Sequence, residues 1–346
     1  MNRKKDIRNL PLEEILKFFD TQNLPKFRAK QIWEWLWKKR VLSFDEITSI
    51  PKKTRELLNN TFAINAAKIH LLEKSNDGTI KYSFKLHDNL LIEGVLIPSK
   101  KRLTACISSQ VGCSLTCKFC ATGTLKLKRN ISAAEIYDQV FILNEEAISK
   151  FGRPLSNIVF MGMGEPLLNY KSLIESIKLI TTKNGLGMSP KRITVSTAGI
   201  SKMIKQLGDD NVKFNLAISL HSASDDKRNV LMPINEKINL SELQDSIKYF
   251  YKKTGTRVTY EYILFKNIND SIDDAHKLIQ FAQTSPCKVN LIEYNTVDSL
   301  HYEKSTNNTT YKFIRYLEKH NIIVNLRKSK GKDIAAACGQ LVNKLQ

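Results

Sequence analysis

Acidic residues are scarce in this sequence: 34 aspartates and glutamates stand against 54 lysines and arginines, a formal net charge of +20 over 346 residues. A field of that size favours polyanionic partners, nucleic acid first. Long apolar runs are absent as well. The fullest of them, "NLLIEGVLI", is strand-sized and too short to span a bilayer. The opening stretch, "MNRKKDIRNLPLEEILKFFD", has no apolar centre and carries acids, so neither a secretory signal nor a transit peptide is supported. A cytoplasmic protein with no membrane partner is expected. No repeat or low-complexity segment is evident. Histidine is sparse, with none between His87 and His221. Six cysteines in a reducing compartment argue against a disulfide scaffold and towards metal binding or catalysis.

The hydrophobic content of 42% and charged content of 25% are ordinary for a globular chain. The length allows one large α/β domain and a smaller one. Residues 1–92 read as the smaller, an accessory domain expected to bind RNA. "LPLEEILKFFD", "KFRAKQIWEWLWKKR" and "IPKKTRELLNNTF" have the look of short helices, the first and last led by proline. Trp33, Trp35 and Trp37 are expected in its core, with Lys38, Lys39 and Arg40 at a helix C-terminus that favours cations. "GTIKYSFKLHDNLLIEGVLIPSK" alternates like a β-hairpin bridging to the second domain, residues 93–346.

From Thr104 onward strand and helix patterns alternate. Strands are predicted at "TACISSQ", "NIVFMGMG", "RITVSTAG", "KFNLAISLHS", "RVTYEYILF" and "KVNLIEYN", with a further one at "NIIVNL". Helices are predicted between them, among them Ala133–Ser149, Tyr170–Thr182, Leu240–Lys252 and Ile272–Gln283. Such alternation builds a parallel sheet with crossover helices. Six units fall short of a closed barrel, so a partial (βα)6-type TIM barrel with an open side is expected.

"GCSLTCKFCATG" sets Cys113, Cys117 and Cys120 at C-x3-C-x2-C just after the first barrel strand. Three thiolates from one loop can each take one iron of a [4Fe–4S] cube and leave the fourth iron open. The alternative is zinc with Cys106 as the fourth thiolate, in a non-catalytic RNA-binding protein. Zinc sites more often pair two separated C-x2-C units, and Cys106 sits within a strand. The cluster is the favoured assignment. Cys338, in "DIAAACGQL", would in isolation be a small buried residue.

The cysteine spacing, at this place in an incomplete barrel, resembles the signature of the radical S-adenosylmethionine (SAM) superfamily. That resemblance implies a [4Fe–4S] cluster on Cys113, Cys117 and Cys120, with SAM chelating the open iron. "FMGMGEPLLN" resembles the superfamily's GGEP-type motif, which implies that Gly164 and Glu165 hold the methionine amino group. Ser196, Ser219, Leu220, His221 and Asn295, at strand ends, resemble the contacts to the rest of SAM. Taken together, "SSQVGCSLTCKFCATG", "FMGMGEPLLN", "LMPIN", "GKDIAAACGQL" and "FRAKQIWEWLW" resemble the RlmN/Cfr family of RNA adenine methyltransferases over nearly the whole chain.

The family resemblance implies methylation of carbon 2 of one adenine in 23S ribosomal RNA and, in some bacteria, of the adenine beside the anticodon of certain tRNAs. The alternative is Cfr-type methylation at carbon 8; Pro166 and the "RKSKGKDIAAACGQL" tail resemble the carbon-2 branch. Cys338 is then the methyl carrier, two SAM molecules are consumed per methylation, and Cys106 resolves the RNA adduct through a transient disulfide with Cys338. Glu93, in "LLIEGVLIP", matches the proposed proton acceptor, with Cys106 the alternative base. A one-electron donor such as flavodoxin or ferredoxin and a monomeric enzyme are implied. The tail departs from the family pattern in having Lys332 and Ala335 where acids are usual. Gly339 and the alanines are expected to make it a flexible loop. "SKKR", "KLKRN" and "RKSKGK" are candidate phosphate contacts near the barrel mouth.

Overall fold

The computed structural model describes residues 4–297 and 300–342. Helices α1 (Leu12–Thr21), α2 (Lys26–Glu34) and α3 (Lys52–Thr61) each begin directly after a proline, at Pro11, Pro25 and Pro51. Proline suits that place because its φ is already near-helical and its missing N–H would be unpaired anyway. The chain winds on past α2 through a π-helical turn, Trp35–Lys39, that ends on Arg40 in the left-handed region at φ 52°. Trp37 is buried, while Trp33 and Trp35 pack partly buried against the same core. Lys38 and Lys39 stay exposed, Lys39 lying over the Trp35 ring at 3.3 Å.

One ten-stranded sheet follows, its strands lying side by side in chain order. Strands β1 (Lys68–Lys74), β2 (Ile80–Lys85) and β3 (Leu91–Pro98) form an antiparallel meander, and β3 pairs antiparallel with β4 (Leu103–Cys106). The meander therefore extends the barrel sheet itself, and residue 93 lies inside β3. From β4 every pairing is parallel, through β5 (Asn157–Phe160), β6 (Ile193–Thr197), β7 (Asn215–Ser219), β8 (Val258–Leu264), β9 (Cys287–Glu293) and β10 (Val324–Arg327). All seven residues of β8 are buried, as befits a parallel strand covered on both faces.

The crossovers are α4 (Ala133–Phe151), α5 (Tyr170–Thr181), α6 (Ser201–Asp209), the pair α7 (Asp225–Leu231) and α8 (Leu240–Thr254), α9 (Ile272–Ala282) and α10 (Asn307–Lys319). These give the expected six strand–helix units, and "NIIVNL" supplies the further parallel strand β10. Local signals set the boundaries. Ser132 and Glu135 form a capping box at the start of α4, and Gly152 ends it at φ 66°.

The helical N-terminal unit shares the barrel's core: Ile7, Phe19, Trp37 and Leu58 belong to the same buried cluster as the sheet residues. A polar joint reinforces it. Asp138 of α4, fully buried, accepts from Arg8 Nη1 at 3.0 Å, Arg40 Nε at 2.8 Å and the Ala67 amide at 2.8 Å. No described helix is long and apolar enough to cross a membrane.

Parallel strands place all their C-terminal ends at one mouth, where functional loops of such barrels gather. The Ser99–Arg102 turn instead enters β4 at its N-terminal end, beside Asn157 at the start of β5. "SKKR" thus lies on the face opposite the mouth, against expectation, because a turn leading into a parallel strand cannot sit at that strand's exit.

Candidate active site

Cys113, Cys117 and Cys120 all line one cavity at the mouth. Their loop is packed down: Phe119 is buried in a small apolar cluster with Leu231, Met232 and Phe265, against which Leu115, Cys117 and Cys120 rest. The Lys118 amide donates to Leu231 O at 3.0 Å, tying the loop to the end of α7 and the "LMPIN" motif. A Cβ on Gly123 would come within 2.7 Å of Cys117 O, so the loop closes only with glycine there. Burial pushes the Cys113 thiol up to about 11 and raises Cys117 and Cys120 too. Such thiols give up their protons when metal binds.

The donor set suits an iron–sulfur cube with one open iron. Three thiols from one loop face the cavity. Cys106 does not join them, but lines a neighbouring cavity with Cys338 and Arg327. The zinc alternative with Cys106 as fourth ligand therefore loses that ligand.

Around the cluster loop stand the other expected residues. Gly164 lines the cavity at φ 91°, where a Cβ would meet the Gln110 side chain at 2.4 Å. Glu165, 4% exposed, accepts from the Ala198 amide at 2.7 Å and the Leu167 amide at 3.0 Å. Burial still dominates and pushes its carboxyl up to about 7. A buried carboxylate short of a cation is suited to an incoming ammonium group. Ser196 and Ser219 line the same cavity with their hydroxyls 3.3 Å apart.

His221, at φ 56°, accepts from the Ile263 amide through Nδ1 at 3.1 Å, and its ring meets Phe119 edge-on at 4.8 Å. Burial and, secondly, Arg228 push its pKa down to about 3, so the imidazole is neutral. Leu220 is fully buried in the core and is not among the cavity-lining residues. Asn295 lines a third cavity, under the tail, and its Nδ2 donates to Cys338 O at 3.2 Å.

Cys338 lines both the cluster cavity and the cavity of Cys106. Its residue is exposed to these openings, yet the dense surroundings push the thiol pKa up, with Arg327 opposing. The tail around it is well fastened. Asp333 accepts from Ser75 Oγ at 2.6 Å and the Asn76 amide at 3.0 Å, and Lys81 Nζ donates to Ile334 O at 2.7 Å. Ala121 donates its amide to Gly339 O at 2.7 Å, and Thr122 its hydroxyl to Leu341 O at 2.6 Å. Lys332 reaches Glu293 at 3.2 Å. Glu93, buried rather than solvent-facing, accepts from the Val342 amide at 3.0 Å, lies 3.7 Å from Lys81 and lines neither cysteine cavity.

Two residues not predicted as site residues complete the site. Arg228 of α7 is fully buried and donates to Ala198 O at 2.6 Å and Leu220 O at 3.1 Å, clasping the exits of β6 and β7. Burial lowers its pKa to about 10, partly offset by Cys117. Glu261 of β8 lines the cluster cavity and lies 3.5 Å from Arg327. "KRNV" and "TYEY" carry no signal beyond an ionisable residue inside an apolar pattern.

Comparison with known proteins fits this geometry. The model of the radical SAM superfamily matches residues 107–281, and that of a ribosomal RNA large subunit methyltransferase N-terminal domain matches residues 5–64. The chain is 52% identical to a probable dual-specificity RNA methyltransferase RlmN of Christiangramia forsetii, covering 99% of this chain and 97% of that one. The chain belongs to the RlmN family. A second RlmN relative, from Cytophaga hutchinsonii, is 53% identical with 99% of this chain and 94% of that one covered. A crystal structure of a radical SAM methyltransferase from Sphaerobacter thermophilus matches at TM-score 0.91 and 35% identity, covering 97% of this chain and 99% of that one. As an RlmN-family member the protein is a radical SAM RNA methyltransferase, using a [4Fe–4S] cluster and SAM.

Proposed function

We propose that this protein methylates carbon 2 of one adenine in 23S ribosomal RNA, and the adenine beside the anticodon of certain tRNAs, in the cytoplasm. The observation that carries the reading is the position of Cys338, in the wall common to the cluster cavity and the cavity of Cys106. Carbon 2 of adenine is not nucleophilic and cannot attack a sulfonium methyl, whereas a thiolate can. Cys338 therefore takes the methyl group from SAM and carries it. The cluster, on Cys113, Cys117 and Cys120, supplies when bound the electron that cleaves SAM to a hydrogen-abstracting 5′-deoxyadenosyl radical.

The chain's own residues do the rest. Glu165 receives the methionine ammonium, and Ser196, Ser219 and neutral His221 line the remainder of the SAM cavity. Cys106 takes the carbon-2 proton. It lines the cavity that Cys338 also lines, which sets it beside the adduct. The proton then passes from Cys106 to solvent, the unpaired electron of the adduct would return to the cluster, and the Cys106 sulfur bonds to that of Cys338; the carbon–sulfur bond of the adduct breaks, and the freed carbon keeps the electron pair and takes a proton to become methyl. Glu93, expected as the proton acceptor, is better suited to anchoring the tail through Val342.

Cluster-loaded wild-type and Cys338→Ala enzymes, given methyl-labelled SAM and 23S RNA, test the reading. The variant should transfer no label, and digested wild-type product should contain 2-methyladenosine. Undiminished transfer by the variant would remove the carrier role. Finding 8-methyladenosine alone would move the enzyme to the Cfr branch.

A further inference from the structure

The step assigned to Cys338 needs a thiolate, and nothing in the assigned machinery helps it ionise. Its surroundings oppose ionisation: dense packing around the sulfur and the Glu261 carboxylate raise the thiol pKa. Cys106 is in the same position, raised by burial and by Cys338. One group opposes these effects at both sulfurs.

Arg327, the last residue of β10 and the first of the basic run "RKSKGK", is half-buried, its side chain 38% exposed. It lines the cavity shared by Cys106 and Cys338. Its Nη1 lies 3.5 Å from Glu261 and 3.9 Å from Met161 Sδ, two residues that line the cluster cavity. Lys328 and Lys330 also line the Cys106 cavity, but their residues are exposed, and Lys330 pairs with Asp77 at 3.9 Å.

Resting on the methyl-carrier reading above, we propose that Arg327 is the positioning residue that favours the thiolate form of Cys338, and in its turn of Cys106, against their surroundings, with Glu261 fixing its orientation. A planar guanidinium stays charged when buried and can serve two neighbouring anions in succession. Burial on its own would weaken the Arg327 cation, yet Cys338, Glu261 and Cys106 together raise its pKa. In the methyl transfer, the Cys338 thiolate supplies the electron pair. The new sulfur–methyl bond replaces the methyl–sulfonium bond of SAM, and S-adenosylhomocysteine leaves with the displaced pair. Arg327 keeps its proton throughout. Once Cys338 is methylated and neutral, the same cation is left facing Cys106.

The test reads the thiols directly. Anaerobic, cluster-loaded enzyme is alkylated with iodoacetamide from about pH 6 to about 10, and modification is counted site by site by mass spectrometry. Cys287, half-buried in β9, is the internal reference. Arg327→Met should lower the Cys338 rate, relative to Cys287, about tenfold or more near neutral pH and move its midpoint upward by about one unit. Arg327→Lys should recover most of the loss, since it keeps the charge. An unchanged ratio in Arg327→Met overturns the proposal, and so does an equal loss in the Lys variant. Should Arg327→Met fail to hold its cluster, Arg327→Gln, judged by the same ratio, replaces it. Failure of the methyl-carrier reading would look different: label transfer persisting in Cys338→Ala, whatever the alkylation profile.

Discussion

Glu165 shows how one residue's environment carries a functional demand. Its carboxyl sits where burial pushes its pKa up to about 7, although two backbone amides donate to it. In the ligand-free protein that raised pKa stabilises the fold fully below the ordinary carboxylate value, and the contribution is lost as pH rises through about 7. An ammonium group placed on the carboxylate removes the penalty. SAM should therefore raise the melting temperature of the cluster-loaded enzyme more at about pH 8 than at about pH 6. Glu165→Gln should give a small, pH-independent shift, measured by differential scanning fluorimetry. An identical pH dependence in the variant would mean that Glu165 does not meet the cation. Its place at the cavity was legible in the sequence because a Gly-Glu-Pro at a strand exit has few structural explanations. Arg228 and Glu261 were not, since each earns its meaning from partners on other strands that sequence spacing does not bring together.

At the scale of elements, the joint between the N-terminal helices and the barrel turns on α4. Asp138 is fully buried and bonds two arginines that lie 130 and 98 residues away in sequence. Removing one partner of such a network strands the others in a dry site, which costs about 3–5 kcal/mol. Asp138→Ala should lower the unfolding free energy from urea titration by an amount in that range, with a lower midpoint, and limited proteolysis should cut first between residue 4 and the meander. A wild-type midpoint would show that Arg8 and Arg40 find water instead.

Strand and helix periodicity made the six units and the extra strand β10 readable, because each alternates against its own covering layer. The ten-stranded continuity was not readable: a hairpin pattern says that two strands pair, not which edge the third will join. The tail misled for the same reason. Alanines and glycine suggested a free loop, but Asp333, Lys81 and Thr122 fasten it through contacts of long sequence separation. The departure at Lys332 is absorbed, because Glu293 receives it together with Lys304.

For the whole molecule, a net charge of +20 matters only where it is placed. Strand direction sorts the basic runs. Lys126 and Lys128 follow the cysteine loop, and Lys328 and Lys330 follow the exit of β10, so both pairs are exposed at the mouth end of the barrel. Arg129 is committed elsewhere, bonded to Asp88 at 2.6 Å and Glu135 at 2.8 Å. Lys100 and Lys101 lie at the opposite end, before β4. Each phosphate neutralised on single-stranded RNA contributes about −0.7 to the slope of log K against log salt. Replacing Lys126 and Lys128 with alanine should weaken RNA binding and make the slope shallower by about one to two. Replacing Lys100 and Lys101 should leave the slope within error, although the net charge falls by the same amount. Titrating a labelled RNA fragment against each variant over a range of potassium chloride separates the two cases. Equal changes in both would mean that the charge acts as a diffuse field, and that the mouth has no privileged part in holding the RNA.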